Sequence, residues 1–143
     1  MYSIGRAAKV VTDEAEEIAA HMAAMRERLL ARLIAGLGKD RIRTNGPSDP
    51  AKRLPNTLSV GIKGAAASQI LHILSEKVAA SASAACHTSD PTNPKISEIL
   101  KAMKVPTDFA VGTLRLSVGR HSTPDEIDTA ADLIVSEAKK QIS

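Results

Sequence analysis

Apolar residues recur at steps of three and four positions through the first quarter of the chain. The stripe lies within residues 6–37, and its members are Val11, Ala15, Ile18, Met22, Met25, Leu29, Leu33 and Leu37. A single stripe of this period predicts one amphipathic helix, which glycines at 36 and 38 would end. Such a helix would be ~45 Å long at about 1.5 Å per residue. We therefore expect part of its stripe to contact a surface outside a domain of this size.

Apolar and polar residues alternate in two later segments, and a period of two predicts β-strands. Residues 57–62 and 113–119 show this pattern, with apolar positions at Leu58, Val60, Ile62, Leu114, Leu116 and Val118. We also predict short strands at "RIRTNG" and at "VAAS", which begin at Arg41 and Val78.

Helical spacing returns in three further segments, which are residues 66–77, 93–105 and 123–142. We predict Asn93 as the N-cap of the second helix. Thr123 and Glu126 have the spacing of a capping box at the start of the third. The predicted order is helix, strand, strand, helix, strand, helix, strand, helix. This order is typical of an α+β fold, here with a small antiparallel sheet and helices on one face.

Composition and charge narrow the possible functions. Only Tyr2 and Phe109 are aromatic, so the core must consist of Ala, Leu, Ile, Val and Met, and stacking platforms for single-stranded nucleic acid are lacking. Residues 39–53 carry five basic and two acidic side chains, an excess equal to the net charge of +3 of the whole chain. This basic stretch is either a solvated turn or a nucleic-acid footprint. We favour the turn, and expect no nucleic-acid partner, because no binding motif accompanies the charge.

The chain has a single cysteine, Cys86, in the polar segment "VAASASAACHTSDP". One cysteine cannot form an intrachain disulfide, and small neighbours on a polar loop favour an accessible, reactive thiol. No signal peptide or membrane-spanning apolar run is evident, so we expect no membrane contact and a cytoplasmic location, although an organelle is an alternative. A metal set of Cys86, His72, His87 and His121 is disfavoured because no tight ligand spacing links them.

Three segments carry a resemblance to a known family. In order, they are "RLPNTLSV", "ASASAACHTSD" and "LRLSVGRHSTPDEID". Their order and spacing resemble the C-terminal small domain of the cysteine desulfurases and selenocysteine lyases, which are pyridoxal phosphate (PLP)-dependent class V aminotransferases. The segment "AACH" is more similar to the selenocysteine lyases than to the cysteine desulfurases. The resemblance implies a connector helix over residues 1–38 and an α+β small domain over residues 39–143.

The resemblance also implies roles for individual residues. Cys86 would be the loop nucleophile that acts on the sulfur or selenium of the substrate. Arg115 would hold the substrate α-carboxylate. Without the resemblance, an outward residue of an alternating strand would be the favoured interpretation. Asn56 and His87 are weaker candidates for substrate binding. Asn56 fits a turn residue that fixes the backbone, and His87 fits an exposed loop histidine.

The implied enzyme releases sulfur or selenium from cysteine or selenocysteine and leaves alanine. Its PLP would be bound by a large domain or a companion chain, since Lys63 in "GIKGAA" lacks the neighbours of a Schiff-base lysine. We therefore expect the chain to be inactive alone and to work with that PLP-binding partner and an amino-acid substrate, within a homodimeric enzyme. The alternative is a non-catalytic binding or assembly module of the same fold.

Overall fold

Helices and a small antiparallel sheet alternate along the chain in a computed structural model, which describes residues 2–81 and 96–142. The fold is therefore α+β, as the sequence predicts. The α-helices are α1 (Tyr2–Leu37), α2 (Ala67–Leu74), α3 (Glu98–Ala102), α4 (Thr107–Ala110) and α5 (Pro124–Ile142). The strands are β1 (Ile42–Thr44), β2 (Thr57–Ile62) and β3 (Thr113–Ser117), and short 3-10 helices occupy Lys39–Arg41 and Pro50–Lys52.

The three strands form one sheet in the order β1-β2-β3, with both pairs antiparallel. Val60 lies opposite Leu114, and Ile62 lies opposite Ile42. Because successive side chains of a strand point to opposite faces, Leu58, Val60 and Ile62 share one face, and all three are buried. That face forms the floor of the hydrophobic core.

Helices α1 and α5 cover this face of the sheet. Leu33 and Ala131 are 0% exposed and belong to the same core cluster as Val60. The two helices approach closely at Gly36, where an added Cβ would lie 2.6 Å from a methyl group of Val135. Aliphatic and small residues thus fill the core, as the composition predicts. The short helix α4 contacts the opposite face of the sheet, since the backbone oxygen of Phe109 faces Gly61 of β2.

The first half of α1 extends beyond this core. Burial begins at Met25, whereas residues 4–9 and 12–17 are exposed and Ile4 is 78% exposed. The prediction that the helix is longer than its domain can cover is therefore confirmed. The surface that its first half would contact, and the division into residues 1–38 and 39–143, stay predictions.

Two details of the predicted elements were wrong. The segment "VAAS" forms no strand, because only Ser81 pairs with β3, in an isolated bridge to Arg115. A helix is predicted over residues 93–105, but in the described part of this range α3 begins only at Glu98. The hydroxyl of Ser97 accepts the backbone N–H of Ile99 at 3.3 Å. The cap of α3 is therefore Ser97, while the predicted cap, Asn93, lies outside the described residues.

The predicted capping box at the start of α5 is confirmed. The backbone N–H of Thr123 donates to the Glu126 carboxylate at 2.8 Å, and the Glu126 N–H donates back to the Thr123 hydroxyl at 3.3 Å. These hydrogen bonds lower the pKa of Glu126. Further along α5, both oxygens of Asp128 accept hydrogen bonds from Arg28 of α1 at 2.8 Å, which adds an ion pair to the helix–helix contact.

Replacing Gly112 with Ala should destabilise the fold. An added Cβ would lie 2.0 Å from the backbone oxygen of Ile62, which cannot move without shifting β2. Overpacking of this kind costs about 1–3 kcal/mol or more, and urea denaturation would measure it. Gly5→Ala in α1 is the control, because no atom lies within 4 Å of that Cβ. If both variants unfold at the same urea concentration, the close approach at Gly112 is wrong.

Replacing Asp128 with Asn should lower the melting temperature at neutral pH. The hydrogen bond from Arg28 lowers the pKa of Asp128 in the folded state, so the ionised carboxylate stabilises the fold above the unfolded pKa. This contribution is lost as the pH falls through the folded pKa. The difference between parent and variant should therefore shrink below about pH 4. Glu16→Gln, on the exposed half of α1, should show no such pH-dependent difference.

Candidate functional site

The face of the sheet opposite the core carries polar side chains. We call it the polar face and define it by Arg43, Asn45, Ser59, Thr113 and Arg115. Arg43 lies opposite Gly61, Ser59 lies opposite Arg115, and Gly61 lies opposite Thr113. The same alternation that buries Leu58 and Val60 thus brings the polar residues of three strands together.

Arg115 is exposed near the middle of β3 and faces the segment that ends at Ser81. The two residues exchange backbone hydrogen bonds, from the Ser81 N–H at 3.2 Å and from the Arg115 N–H at 2.7 Å. The Arg115 Nε also donates to the Ser81 hydroxyl at 3.2 Å. Within residues 2–81 and 96–142, no carboxylate pairs with this guanidinium. Among the described residues its two terminal nitrogens have no acceptor, and a guanidinium of this kind could bind a carboxylate through two parallel hydrogen bonds.

The predicted nucleophile Cys86 and its neighbour His87 lie outside the described residues. The sequence still limits how far Cys86 can be from Arg115. Five residues after Ser81 span at most about 18 Å when fully extended, and Ser81 is bonded to Arg115. Ser81, five residues before Cys86 in the sequence, is therefore the described residue that links this part of the chain to Arg115.

Asn56 lies just before β2 and contributes mainly through its backbone. Its carbonyl accepts the N–H of Val118 at 2.9 Å, and its side-chain oxygen accepts the hydroxyl of Thr57 at 3.2 Å. These bonds join the start of β2 to the chain that leaves β3. The structure does not bring the Asn56 side chain into contact with Arg115, and its role in substrate binding stays a prediction.

Sequence reasoning missed three polar residues of this region: Asn45, Ser81 and Thr113. The Asn45 amide donates to the hydroxyls of Ser59 at 3.3 Å and Thr113 at 3.4 Å, while its buried side-chain oxygen has no described partner. Thr113 could have been found, because it lies two residues before Arg115 on an alternating strand. Ser81 could not, since no periodic pattern marks a single bridging residue.

The described residues do not fit PLP. Lys63, the lysine considered from the sequence, lies 3.4 Å from the Asp108 carboxylate and 5.8 Å from the ring centre of Phe109, and its side chain is half exposed. None of the residues that define the polar face is a lysine or an acid. The face thus fits the carboxylate of an amino acid and lacks the groups that hold a pyridine ring. Among the described residues there is also no cluster of metal-binding side chains and no helix that could cross a membrane.

Comparisons with known proteins agree with the resemblance seen in the sequence. A model of the class-V aminotransferase family matches residues 1–129. The chain is 37% identical over 141 residues to selenocysteine lyase from Homo sapiens, a match that covers 98% of this chain and 30% of that protein. It is 33% identical over 130 residues to a cysteine desulfurase from Frankia sp., covering 91% of this chain and 30% of that protein.

Solved structures give the same result for the fold. A NifS-like protein superimposes with a TM-score of 0.66 and 26% identity, covering 92% of this chain and 30% of that one. A NifS-like protein from Rickettsia africae superimposes with a TM-score of 0.72 at 18% identity and shares the fold. The chain thus spans about 30% of the length of the selenocysteine lyase and the NifS-like protein that it matches.

The chain mixed with PLP should form no stoichiometric adduct at one lysine. Lys63 is ion-paired to Asp108, and the polar face offers no acid for the pyridine nitrogen. Visible absorption spectra with increasing PLP, followed by borohydride reduction and peptide mass spectrometry, would measure this. Low, scattered labelling of several exposed lysines is the expected result, and stoichiometric labelling of one lysine would contradict it.

Proposed function

The chain belongs to the class V aminotransferase family, and from this premise we propose that it is the small-domain part of a PLP-dependent lyase. The proposed enzyme releases sulfur or selenium from cysteine or selenocysteine and leaves alanine. This chain would supply the residue that binds the substrate carboxylate, Arg115, and the loop nucleophile, Cys86. The relatives named selenocysteine lyase and cysteine desulfurase support this substrate class.

The observation that carries the proposal is the bridge between Ser81 and Arg115. It fixes the beginning of the cysteine segment beside a guanidinium that has no carboxylate partner in the described chain. A substrate held by its carboxylate at Arg115 would therefore lie close to Ser81, five residues before Cys86 in the sequence.

Each residue then has a defined task. The terminal nitrogens of Arg115 bind the substrate α-carboxylate, and the hydroxyl of Ser81 holds the guanidinium by its Nε at 3.2 Å. An arginine suits this task because its planar fork matches the two oxygens of a carboxylate. Cys86, as a thiolate, acts on the sulfur or selenium of the bound substrate, since the thiol form is a poor nucleophile.

PLP enters the proposal as a group that other parts of the enzyme hold. It would stabilise the negative charge that develops on the substrate carbon. The described residues do not fit it, so we propose a PLP-binding large domain, in the same polypeptide or in a companion chain, as the partner of this one. A homodimer of the complete enzyme is part of the same proposal.

A chimera tests these roles directly. The matching 30% of the human selenocysteine lyase would be replaced by this chain. The release of alanine, and of sulfide from cysteine or selenide from selenocysteine, would be measured with a thiol present as the reductant. Arg115→Lys should raise the KM for the amino acid at least about tenfold, because a bidentate, charge-assisted pair is lost. Cys86→Ala should abolish sulfur release from cysteine while PLP stays bound.

Arg43→Lys is the matched control, because Arg43 lies on the same polar face two strands away. It should leave the KM unchanged. Bound PLP, read from the visible spectrum, distinguishes a loss of function from a failure to fold. If the Arg115→Lys and Cys86→Ala chimeras bind PLP and turn over substrate as well as the parent chimera, the assigned roles are wrong. If this chain forms stable complexes but its variants leave turnover unchanged, the alternative of a non-catalytic binding or assembly module is favoured.

A further inference from the structure

A second polar site lies between α1 and the segment that leads into β2, and it shares Asn45 and Ser59 with the polar face. It is a cavity of about 250 Å³. Three cationic residues line it, Arg26, Lys52 and Arg53, together with the polar residues Thr44, Asn45 and Ser59. We call it the cationic pocket. Since a water molecule takes about 30 Å³ in the liquid, the pocket has room for an ion of several heavy atoms.

Arg26 forms the buried part of the pocket. It is only 4% exposed, although it carries a full charge. Its Nη1 donates to the carbonyl of Leu54 at 2.6 Å, and its Nε and Nη2 donate to one oxygen of Glu27 at 3.1 and 2.7 Å. A guanidinium has five N–H groups, so one on each terminal nitrogen is left without an acceptor in the described chain. These two N–H groups could donate to an acceptor inside the pocket.

The charge of the pocket is uncompensated. Glu27 is the one carboxylate bound to these cations among the described residues, and its side chain is 55% exposed and turned to Arg26. Lys52 has no described ion pair, and Arg53 donates its Nε to the backbone oxygen of Pro47. Three cations against one carboxylate leave two positive charges at the pocket. This is also where the basic stretch of residues 39–53 meets α1.

We propose that the cationic pocket binds a phosphoryl group, either as free phosphate or as a phosphate monoester. A phosphate monoester carries about −1.5 to −2 charge at pH 7 and three acceptor oxygens, which match the two excess charges and the free N–H groups of Arg26. A carboxylate has only one charge and would leave the pocket positive. Thr44 and Ser59 also line the cavity. The site needs no PLP and no Cys86, so it stands apart from the proposed lyase chemistry.

The test is a titration of the full 143-residue chain with inorganic phosphate, followed by the backbone amide signals in NMR spectra. The amides of residues 44–45 and 52–54 should shift together and saturate. Lys52→Gln should weaken binding about tenfold, because a charge-assisted contact is lost. Lys39→Gln is the matched control, since it removes the same charge from the same basic stretch outside the pocket, and it should leave the affinity unchanged.

If the Arg26→Met variant folds, its amide signals should show no saturable shift with phosphate. If it does not fold, Arg53→Gln serves as a second variant, and it should weaken phosphate binding. Glycerol 3-phosphate, titrated in parallel, separates the two sources: tighter binding than inorganic phosphate assigns a monoester, and weaker binding assigns the free ion. Equal weakening by Lys39→Gln and Lys52→Gln would overturn the proposal, because it would show only the attraction of net charge. Shifts that acetate reproduces at the same concentration would also overturn it.

Discussion

The close approach of α1 to α5 is the constraint on which the rest of the structure depends. With two aromatic residues in the chain, the core cannot be filled by large rings. The helices must instead come near enough for aliphatic side chains to interdigitate. Gly36 allows this, because any Cβ there would collide with Val135 of α5. Ala131 and Ala138 are completely buried at the same interface, where larger side chains would push the helices off the sheet.

The position of the candidate site follows from this packing. Leu29 and Leu33 of α1 fix the core face of β2, and the pairing of β2 with β3 then places Arg115 on the opposite face. Gly112 lets the chain enter β3 against the backbone of Ile62. Arg115 is thus held in position by a core on the other side of the same sheet.

The sequence predicted most of the fold because its periodic patterns are long. Burial of an apolar side chain recurs many times along the stripe of α1 and along the alternating strands β2 and β3. The capping box of α5 combines two reciprocal hydrogen bonds. Short features carry no such repetition. Arg115 could be found by resemblance and alternation, whereas its partner Ser81 is brought to it only by the fold. The cationic pocket was hidden for the same reason, because Arg26 is buried only where the chain crosses over it at Leu54.

The segment "RLPN" connects three parts of the structure. Arg53 lines the cationic pocket, Leu54 binds Arg26 through its carbonyl, and Asn56 binds the N–H of Val118 beyond β3. Leu54 and Asn56 make these contacts through their backbone carbonyls, so the contacts depend on the path of the chain. Arg53 contributes its charged side chain. The motif therefore joins α1, β2 and the end of β3 before any ligand is considered. This connection matters for Arg115, because its guanidinium keeps its place on the polar face only if β3 stays in register with β2.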